Sequence, residues 1–259
     1  MLSQVMSSPF DSAAPTFERH RSFPAEVPQA IRSAIWSAVG LSAPARVLDI
    51  GAGTGRIGRA FVAAGDSYFG VDTSLAMLRE FSPSSANCTL TQADGSHLPF
   101  PDGSFDVVLL MQVLSGASDW KAIVSEARRV VRSGGSVAVG HTVNPESGID
   151  AQLKRHLKGI LEELNVDSFR PEHSRRQALE WLDAAAAHHV HVEAASWNAA
   201  ATPEAFLRRH RTGARFAALP AHVQQRALDK LRAWAKVAFG SLDTEVEETR
   251  SFEMDIYTF

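Results

Sequence analysis

A glycine-rich segment that directly follows a short apolar run constrains the fold of this chain more than any other feature. Residues 47–58 read VLDIGAGTGRIG and include Gly51, Gly53 and Gly55. The apolar run predicts a buried strand, and the glycines allow a tight turn into a helix where a ligand can closely approach the backbone. Residues 47–58 therefore predict a ligand-binding turn at the carboxyl end of a strand in an open α/β sheet.

The residues around the glycines distinguish three kinds of ligand-binding loop. A phosphate loop of the Walker type requires lysine and then serine or threonine after its last glycine, where this chain has Arg56 and Ile57. A dinucleotide-binding loop requires a glycine at its sixth position, which here is again Arg56. The third pattern, D-x-G-x-G-x-G beginning at Asp49, fits the segment. Its carboxylate would repel a pyrophosphate and attract an ammonium or sulfonium group.

Strand patterns alternate with helical patterns through the first half of the chain. Apolar runs predict strands at residues 46–50, 67–72, 88–94, 105–111 and 136–142. Helical spacing predicts one helix that includes Val27 and Val39, and another that includes Ile123 and Val131 and ends at Gly134. This alternation implies right-handed crossovers and a doubly wound parallel α/β sheet.

The second half of the chain has a different pattern. Residues 144–171 are polar with short helical pieces, residues 174–188 predict a helix, and residues 189–197 alternate as in a strand. A helical insertion follows over residues 202–239, and the alternating residues 247–259 predict the last strand. Because an insertion between the last two strands can cover one end of the sheet, we interpret it as a cap rather than an independent domain.

Composition limits the classes of function. The chain has 26 basic and 29 acidic residues, and its net charge of −3 gives no general attraction to nucleic acid or to acidic membranes. No apolar run approaches the roughly 20 residues of a membrane span, and the N-terminus lacks a signal-peptide pattern. Cys88 is the only cysteine, so we expect no internal disulfide and no cysteine-ligated metal site. A cytoplasmic protein is the simplest interpretation.

Four separate stretches resemble the class I S-adenosylmethionine-dependent methyltransferases, especially the small-molecule branch of the ubiquinone and menaquinone type. They read VLDIGAGTG, GVDTS, QADGSHLPFPDGSFDVVLL and EARRVVRSGGSVAV, in this order within residues 45–142. They are similar to the family's first motif, the acidic end of its second strand, its third-strand loop with the fourth strand, and the region of its fifth strand. The resemblance implies an α/β, doubly wound, mostly parallel seven-stranded sheet with an antiparallel last strand and a helical cap.

The resemblance also implies a cofactor, S-adenosyl-L-methionine, and a division of the chain. We divide it into an N-terminal arm and helix at 1–44, a cofactor-binding core at 45–142, an insertion at 143–172, and the remainder of the sheet at 173–259, with the cap at about 202–240. The residues expected to bind the cofactor are Arg21, Asp49, Gly51, Ala52, Gly53, Gly55, Asp72, Thr73, Met77, Asp94, Gly95 and Gln112.

Several of these residues have a specific implied role. Asp72 follows Gly51 by one helix and one strand, which places its carboxylate at the end of the second strand, where it can accept the ribose hydroxyls. The resemblance assigns the adenine amino group to Asp94, places Thr73 and Met77 beside the adenine, and turns Asp49 towards the methionine ammonium. Two simpler interpretations stay open: Asp72 could only begin a helix, and Asp94 with Gly95 could only form a turn.

Methyl transfer from a sulfonium is an in-line displacement in which the protein aligns the reactants and excludes water. Such an enzyme needs no catalytic motif, and the N-P-P-Y motif of amino-methylating relatives is absent here. His141, at the end of the fifth predicted strand, is the candidate general base, with a structural histidine as the alternative. Gln112 is a candidate contact of cofactor or substrate. Arg21 is the candidate partner of the cofactor carboxylate, with a solvated arm as the alternative.

Two further clusters carry weaker hypotheses. The sequence HHVHV places His189 and His191 on one strand face, but nothing nearby supplies an obvious third ligand, so we expect no metal site. The basic run RRHRTGAR, residues 208–215, could meet phosphate or an acidic substrate, whereas the acidic residues within 243–248 offer it an internal partner.

The expected function is therefore methyl transfer to a small-molecule acceptor, with no nucleic acid or membrane partner and with the oligomeric state open. One alternative is methylation of a protein or a nucleic acid. Another is a non-catalytic S-adenosylmethionine-binding regulatory protein, which measurement of turnover would distinguish. A nicotinamide-dependent dehydrogenase is disfavoured by Asp49 and Arg56.

Overall fold

Strands and helices alternate along the chain. The structure is a computed structural model of the protein. It describes residues 8, 10–11, 14–41, 45–81, 86–115, 117, 119–166, 171–211 and 213–259. Residues 1–7 of the predicted N-terminal arm lie outside this set. The strands are β1 (Arg46–Ile50), β2 (Ser67–Asp72), β3 (Cys88–Gln92), β4 (Phe105–Met111), β5 (Val131–Val143), β6 (His188–Ala201) and β7 (Val246–Thr258).

The helices lie before and between these strands in the sequence. They are α1 (Ala14–Arg21), α2 (Val27–Val39), α3 (Gly58–Ala63), α4 (Leu75–Phe81), α5 (Trp120–Val130), α6 (Ile149–Glu163), α7 (Pro171–Ala185), α8 (Pro203–Arg211), α9 (Ala214–Ala217) and α10 (Ala221–Phe239). None of the described helices combines the length and the apolar character that crossing a bilayer requires.

One seven-stranded sheet contains all of these strands, in the order β3-β2-β1-β4-β5-β7-β6. The first five strands are parallel to one another, whereas β7 runs antiparallel to both β5 and β6. The strand order changes direction between β1 and β4, and open α/β sheets bind ligands beyond the carboxyl ends of the strands at such a point. The predicted fold class, a doubly wound and mostly parallel sheet with an antiparallel last strand, is confirmed.

Apolar cores cover both faces of the sheet. In β1, Val47 packs in the core beneath α2 and α3, whereas its neighbour Leu48 packs in the core beneath α5 and α7. Both side chains are fully buried. Successive strand residues point to opposite faces, so a strand covered on both sides is apolar throughout. Helices on both faces therefore hold the carboxyl ends of the central strands in fixed positions.

The cap stands on the two long strands β6 and β7. Their pairing continues to Ala201 and Val246, beyond the last β5 residue, Val143, which pairs with Ser251. The connection between these strands is helical, as predicted, and consists of α8, α9 and α10. A third apolar core joins these helices to α6.

The expectation of short helical pieces within residues 144–171 is wrong. A single helix of 15 residues, α6, occupies most of this stretch. Its apolar residues Ile149, Leu153 and Leu157 recur every four positions and are buried in the cap core. The other positions of α6 are mostly polar, which lowers the average hydropathy without disturbing the apolar stripe of an amphipathic helix. The core of the cap therefore contains one helix that precedes β6 in the sequence, α6, and the helices that follow β6.

Several element boundaries also differ from the predicted ones. Val131 has an extended backbone and begins β5, so it does not continue the preceding helix, and β5 begins there rather than at residue 136. β3 ends at Gln92 rather than at residue 94, and α7 ends at Ala185 rather than at residue 188. β6 continues to Ala201 rather than ending at residue 197. Its last residues are mostly alanines, which have a low intrinsic strand preference and are held there by pairing with β7.

Candidate functional site

The glycine-rich loop between β1 and α3 adopts a conformation that favours glycine. Gly51, Gly53 and Gly55 have φ angles of +80°, +56° and +80°, a region that other residues rarely adopt. The backbone N–H groups of Gly51 and Ala52 both donate to the carbonyl of Val71, at 2.8 and 3.0 Å. The loop is therefore tied to the end of β2, the next strand of the sheet.

The three glycines differ in what surrounds them. A Cβ atom at Gly51 would lie 2.5 Å from the Cγ2 atom of Val113, and one at Gly55 would lie 2.3 Å from the ring of Phe81. A Cβ atom at Gly53 would meet only the carbonyl oxygen of Gly51, at 3.9 Å. Gly51 and Gly55 therefore permit the protein's own packing, whereas Gly53 leaves open space above its backbone.

The carboxylate of Asp72 lies directly beside this open space. It accepts hydrogen bonds from the backbone N–H of Gly53 at 2.9 Å and from that of Ser74 at 2.8 Å. Burial raises the pKa of Asp72, the two N–H donors lower it, and the negative charge of Asp11 raises it further. Asp72 does not itself begin α4, which starts at Leu75 and has its Met77 N–H bound by the Ser74 hydroxyl at 3.2 Å; the Asp72 carboxylate instead holds the N–H groups of Gly53 and Ser74.

The described part of the N-terminal arm lies against the same strand end. The Ser74 hydroxyl donates to the Asp11 carboxylate at 2.6 Å, and the hydroxyls of Thr73 and Ser8 are 3.4 Å apart. The Ser8 backbone N–H in turn donates to Asp11 at 3.0 Å. These contacts place Ser8 and Asp11 at the edge of the space beside Asp72. Sequence reasoning did not single out Asp11, because a lone acidic residue in an N-terminal segment carries no pattern.

Asp94 and Gly95 follow the end of β3, and Met77 is a buried residue of α4. One oxygen of Asp94, Oδ1, accepts from the backbone N–H and the hydroxyl of Ser96, both at 2.8 Å. The other oxygen, Oδ2, has no hydrogen-bond partner in the part of the chain that the structure describes. A Cβ atom at Gly95 would lie 2.6 Å from the Cγ2 atom of Ile50. Asp94 and Gly95 therefore form a turn packed against the end of β1, with one carboxylate oxygen available.

Asp49 is buried beneath the loop rather than exposed at its ligand side. Its Oδ2 atom accepts a hydrogen bond from the Tyr68 hydroxyl at 2.6 Å, and its Oδ1 atom has no partner among the described residues. Burial raises the pKa of Asp49 to about 7, against the opposing effect of the Tyr68 hydrogen bond and with a smaller contribution from the charge of Asp72. Asp49 is therefore a carboxyl group whose protonation changes close to neutral pH.

Gln112, at the end of β4, has a backbone conformation that is unusual for its residue type. Its φ angle is +62°, while its backbone N–H donates to the carbonyl of Gly140 at 2.8 Å. Its side-chain amide donates to the Thr142 hydroxyl at 2.7 Å and accepts from the Arg56 guanidinium at 3.0 Å. Backbone strain of this kind is concentrated at functional sites in proteins. Gln112 thus joins the ends of β4 and β5 to the glycine-rich loop.

Arg56 and Arg21 connect this loop to the N-terminal helix and the cap. The Arg56 guanidinium donates to the backbone carbonyl of Arg21 and lies 4.7 Å from the ring centre of Phe23. The Arg21 guanidinium donates to the carbonyl of Arg209 in α8 at 2.8 Å. Arg56 entered the sequence analysis only as a departure from the Walker-type and dinucleotide-binding loops, and its contacts were not predicted.

His141 lies on the opposite face of β5 from Thr142. Val137 and Val139 pack in the core beneath α7, and His141 follows them at every second position on that face. Burial is the main cause of its lowered pKa, and the positive charge of Arg175 in α7 lowers it further. Thr142, which contacts Gln112, is the β5 residue on the side of the glycine-rich loop. The structure therefore does not bring His141 together with the other predicted site residues.

The two histidines of the HHVHV segment share one carboxylate. His189 and His191 lie 3.3 and 2.9 Å from the Oδ1 atom of Asp255, which also pairs with Arg175. Among the described residues, no group of three or more histidine, cysteine, aspartate and glutamate side chains is arranged to hold a metal ion. The arrangement is consistent with an internally paired surface.

Comparison with known proteins identifies the domain that surrounds this site. Residues 48–139 match a family model described as a methyltransferase domain. The chain is 32% identical over 136 residues to a demethylmenaquinone methyltransferase of Tropheryma whipplei, covering 51% of this chain and 56% of that protein. It is also 28% identical over 176 residues to the uncharacterized methyltransferase YcgJ of Bacillus subtilis, covering 65% of this chain and 66% of that protein. The match thus spans about half of the first relative's length and about two thirds of the second's.

Solved structures extend the likeness to the whole fold. The structure of YcgJ from Bacillus subtilis has a TM-score of 0.57 and 20% identity, covering 89% of this chain and 97% of that one. A Haemonchus contortus phosphoethanolamine N-methyltransferase 2, solved with phosphomonomethylethanolamine and S-adenosylhomocysteine, has a TM-score of 0.51 and 16% identity, covering 96% of this chain and 57% of that one. Residues 48–139 therefore match a methyltransferase domain, and the chain shares the fold of these solved methyltransferases.

Proposed function

We propose that this protein transfers a methyl group from S-adenosylmethionine to a small-molecule acceptor. The observation that carries the proposal is the position of the Asp72 carboxylate, 2.9 Å from the backbone nitrogen of Gly53 and beside the one loop glycine with open space above it. A carboxylate at the end of β2, next to a glycine-rich turn at the end of β1, suits a ligand that carries a ribose. The proposal extends the methyltransferase likeness of residues 48–139 to the activity of the whole chain.

The residues around Asp72 fit the adenosine part of this cofactor. Each Asp72 oxygen already accepts one backbone N–H and keeps a lone pair for a ribose hydroxyl. The available Oδ2 atom of Asp94 suits the adenine amino group, which is a donor. Met77 is buried and offers an apolar, polarisable side chain to the adenine, with Thr73 beside it. Gly53 and Ala52 provide the backbone along which the nucleoside would lie.

Two charged residues are proposed for the amino-acid part of the cofactor. Asp49 has a buried oxygen, Oδ1, without a partner among the described residues, and an ammonium group near it would stabilise its ionised form. Arg21 remains our proposal for the cofactor carboxylate, because its backbone carbonyl accepts a hydrogen bond from Arg56 at the end of the glycine-rich loop and its charge acts on the Arg56 guanidinium. Gln112 lies between these groups and the end of β5 and would border the reacting methyl group.

In this reaction the protein would align the acceptor with the methyl group of the cofactor and would exclude water. When bound, S-adenosylmethionine supplies an activated methyl group, and an oriented acceptor needs only to approach it in line. The cap and the described part of the arm cover the carboxyl ends of the strands and would exclude water from the reaction. A role for His141 as general base stays a prediction, and its position on the α7 face favours the structural alternative.

The small-molecule acceptor is the finer part of the proposal. The methylation of a quinone-type small molecule is named only for relatives such as the Tropheryma whipplei protein, which the match covers over 56% of its length. The net charge of −3 argues against nucleic acid as the substrate. Methylation of a protein, or binding of the cofactor without turnover, remains the competing hypothesis.

The proposal is tested by supplying S-adenosylmethionine with a radiolabelled methyl group to the purified protein and an extract of host cells. We expect label in a metabolite fraction, and no transfer above background with an Asp72→Ala variant as the control. Label in the protein or nucleic-acid fraction would replace the small-molecule proposal with its alternative. Cofactor binding without label in any fraction, across extracts from several growth conditions, would favour a regulatory binding protein.

Two glycine substitutions separate ligand contact from protein packing. We expect Gly53→Ala to weaken S-adenosylhomocysteine binding about tenfold, since the new methyl group occupies the open space. We also expect this substitution to lower the free energy of unfolding by about 1 kcal/mol, because the backbone at residue 53 has a positive φ. We expect Gly55→Ala to lower the free energy of unfolding by about 2 kcal/mol, because its methyl group overlaps Phe81. Calorimetric titration and urea unfolding of both variants measure the two effects. Equal effects of the two substitutions on binding would contradict this division.

A further inference from the structure

Three side chains form a hydrogen-bonded series from the glycine-rich loop to the end of β5. The Arg56 guanidinium donates to the Oε1 atom of Gln112 at 3.0 Å, and the Nε2 atom of Gln112 lies 2.7 Å from the Thr142 hydroxyl. The segment that holds Gln112 also packs against the loop, since a Cβ atom at Gly51 would lie 2.5 Å from the Cγ2 atom of Val113. Thr142 is therefore connected to the proposed cofactor site through a single intervening side chain.

The chemistry of Arg56 sets the direction of the hydrogen bonds in this series. Burial lowers the pKa of Arg56 to about 9, and the charge of Arg21 contributes, so the guanidinium is still protonated at neutral pH. A protonated guanidinium only donates hydrogen bonds, so the oxygen of the Gln112 amide faces Arg56 and its NH₂ group faces Thr142. The Thr142 hydroxyl oxygen therefore accepts a hydrogen bond from Gln112, and the hydroxyl hydrogen is not used in that contact.

The hydroxyl hydrogen of Thr142 is thus available to a ligand. Among the residues that the structure describes, the Thr142 side chain has no hydrogen-bond partner other than Gln112. Thr142 is half-buried, which leaves part of the residue accessible to a ligand. A hydroxyl donor that the protein does not satisfy carries a free-energy cost, unless a water molecule or a ligand oxygen accepts its hydrogen bond.

The order of the strands places Thr142 on the acceptor side of the proposed site. Asp72, proposed for the ribose, ends β2, and Gln112, proposed to border the reacting methyl group, follows β4, with β1 between these two strands. Thr142 lies one strand further in the same direction, near the end of β5. In-line displacement requires the acceptor to approach the methyl carbon from the side opposite the sulfur. A cofactor that runs from β2 towards β4 therefore leaves the β5 side for the acceptor.

Aromatic side chains make the surroundings of Thr142 apolar. Phe252 of β7 lies opposite Thr142 in the antiparallel pairing, so the two side chains share one face of the sheet, and Phe252 is fully buried. The ring centre of Phe23 lies 5.7 Å from that of Phe252 and 4.7 Å from the guanidinium carbon of Arg56. In apolar surroundings a hydrogen bond is stronger than in water, and an unmade one costs more. The Thr142 hydroxyl would therefore favour a ligand that places an oxygen beside it.

The other candidate contact with a substrate, the basic run that includes Arg208, has partners within the cap. Arg208 pairs with Glu204 at 3.1 Å, and the Arg209 guanidinium pairs with Asp150 of α6. These partners differ from the acidic residues within 243–248 that the sequence suggested. The first two arginines of the run are therefore paired by the protein itself, unlike the hydroxyl hydrogen near the end of β5.

We propose that the Thr142 hydroxyl donates a hydrogen bond to an oxygen atom of the methyl acceptor, and that Arg56 and Gln112 position the hydroxyl to do so. The proposal rests on the methyl-transfer function proposed above. It names the chemical class of the acceptor, a molecule with a carbonyl, hydroxyl or carboxylate oxygen close to the atom that is methylated. Thr142 orients the acceptor and exchanges no proton with it, so no covalent bond forms or breaks at this residue.

The test compares Thr142→Val with the wild type in two measurements, calorimetric binding of S-adenosylhomocysteine and transfer of radiolabel from S-adenosylmethionine to the metabolite fraction. Valine has nearly the shape of threonine but no hydroxyl. We expect Thr142→Val to transfer label about tenfold more slowly at limiting extract, as loss of one hydrogen bond predicts. We expect its affinity for S-adenosylhomocysteine to stay within about threefold of that of the wild type, because Arg56 still holds the Gln112 amide.

Two further variants provide the controls. Thr142→Ser retains the hydroxyl, and we expect it to recover most of the transfer that Thr142→Val loses. Thr249→Val removes an exposed hydroxyl of β7, which donates to Asn198 at 3.0 Å outside the proposed site, and we expect it to transfer label at the wild-type rate. Thermal unfolding of each variant shows that it is folded.

The outcomes distinguish failure of this proposal from failure of the proposed function. Transfer by folded Thr142→Val at the wild-type rate would overturn the role of Thr142. A loss of S-adenosylhomocysteine affinity as large as the loss of transfer would overturn it too, since the hydroxyl would then act only by holding Gln112. Mass spectrometry of the labelled product would contradict the acceptor class if no oxygen lay near the methylated atom. Absence of label from the metabolite fraction with the wild type would overturn the proposed function, and the role of Thr142 with it.

Discussion

The substitution Asp72→Ala is expected to weaken S-adenosylhomocysteine binding by at least about a hundredfold, with the sheet intact. Two hydrogen bonds from ribose hydroxyls to a charged acceptor are worth about 1.5–3 kcal/mol each, so their loss exceeds the 2.7 kcal/mol of a hundredfold change. Asp72 also accepts the N–H groups of Gly53 and Ser74. Part of the loss would therefore arise because the glycine-rich loop is no longer held against the end of β2.

The variant Asp72→Asn separates these two contributions. The amide oxygen of this variant can still accept a hydrogen bond from one of the two backbone N–H groups. Its NH₂ group cannot accept a hydrogen bond from a ribose hydroxyl, and the side chain no longer carries a negative charge. We expect a smaller loss of affinity than in Asp72→Ala and a Tm close to that of the wild type. Calorimetric titration and thermal unfolding measure both quantities. Unchanged affinity in a folded Asp72→Ala protein would show that the cofactor does not lie beside Gly53.

The second large effect concerns stability and pH. Burial raises the pKa of Asp49 from 3.8 to about 7. Between these values the folded protein retains a proton that the unfolded chain has released, so this carboxyl group makes the free energy of unfolding fall as pH rises. At about 1.4 kcal/mol for each pKa unit, the contribution amounts to about 4 kcal/mol between pH 4 and pH 8.

The variant Asp49→Asn lacks this contribution and provides the comparison. We expect the free energy of unfolding of Asp49→Asn to rise relative to the wild type by about 4 kcal/mol between pH 4 and pH 8, as measured by urea unfolding. Both proteins have the same histidines, so the titration of those histidines cancels in the difference between their free energies of unfolding. A constant difference across this range would show that Asp49 has an ordinary pKa. Saturation with S-adenosylhomocysteine should reduce the difference at pH 8, if its ammonium stabilises the ionised Asp49.

The sequence was sufficient to predict the central sheet because its information there is local. β1, β2 and β4 have the predicted bounds, since an apolar run between turn residues marks a strand that is buried on both faces. The position of Asp72 at the end of β2 follows from the same local pattern. The cofactor roles came instead from the family resemblance, and they remain to be tested by the substitutions above.

The sequence was insufficient where residues meet across long distances. His141 and Thr142 are neighbours, and the one-residue difference decides which of them faces the glycine-rich loop. Asp150 of α6, Arg209 of α8 and Arg250 of β7 meet only because the cap helices pack on strands that extend beyond β5. Neither periodicity nor charge counting along the chain can show that juxtaposition, since it depends on how α6 packs against α8.

The placement of the cap between β6 and β7 has a consequence for how such a protein diversifies. The helices α8 to α10 leave the sheet at Ala201 and return at its paired neighbour Val246, so both ends of the insertion are anchored side by side. Closing a longer connection between adjacent ends costs only about 0.6 kcal/mol for each doubling of its length. Lineages can therefore lengthen, shorten or exchange this segment at small thermodynamic cost. The cap can change by insertion and deletion while the strands that hold the glycine-rich loop keep their register.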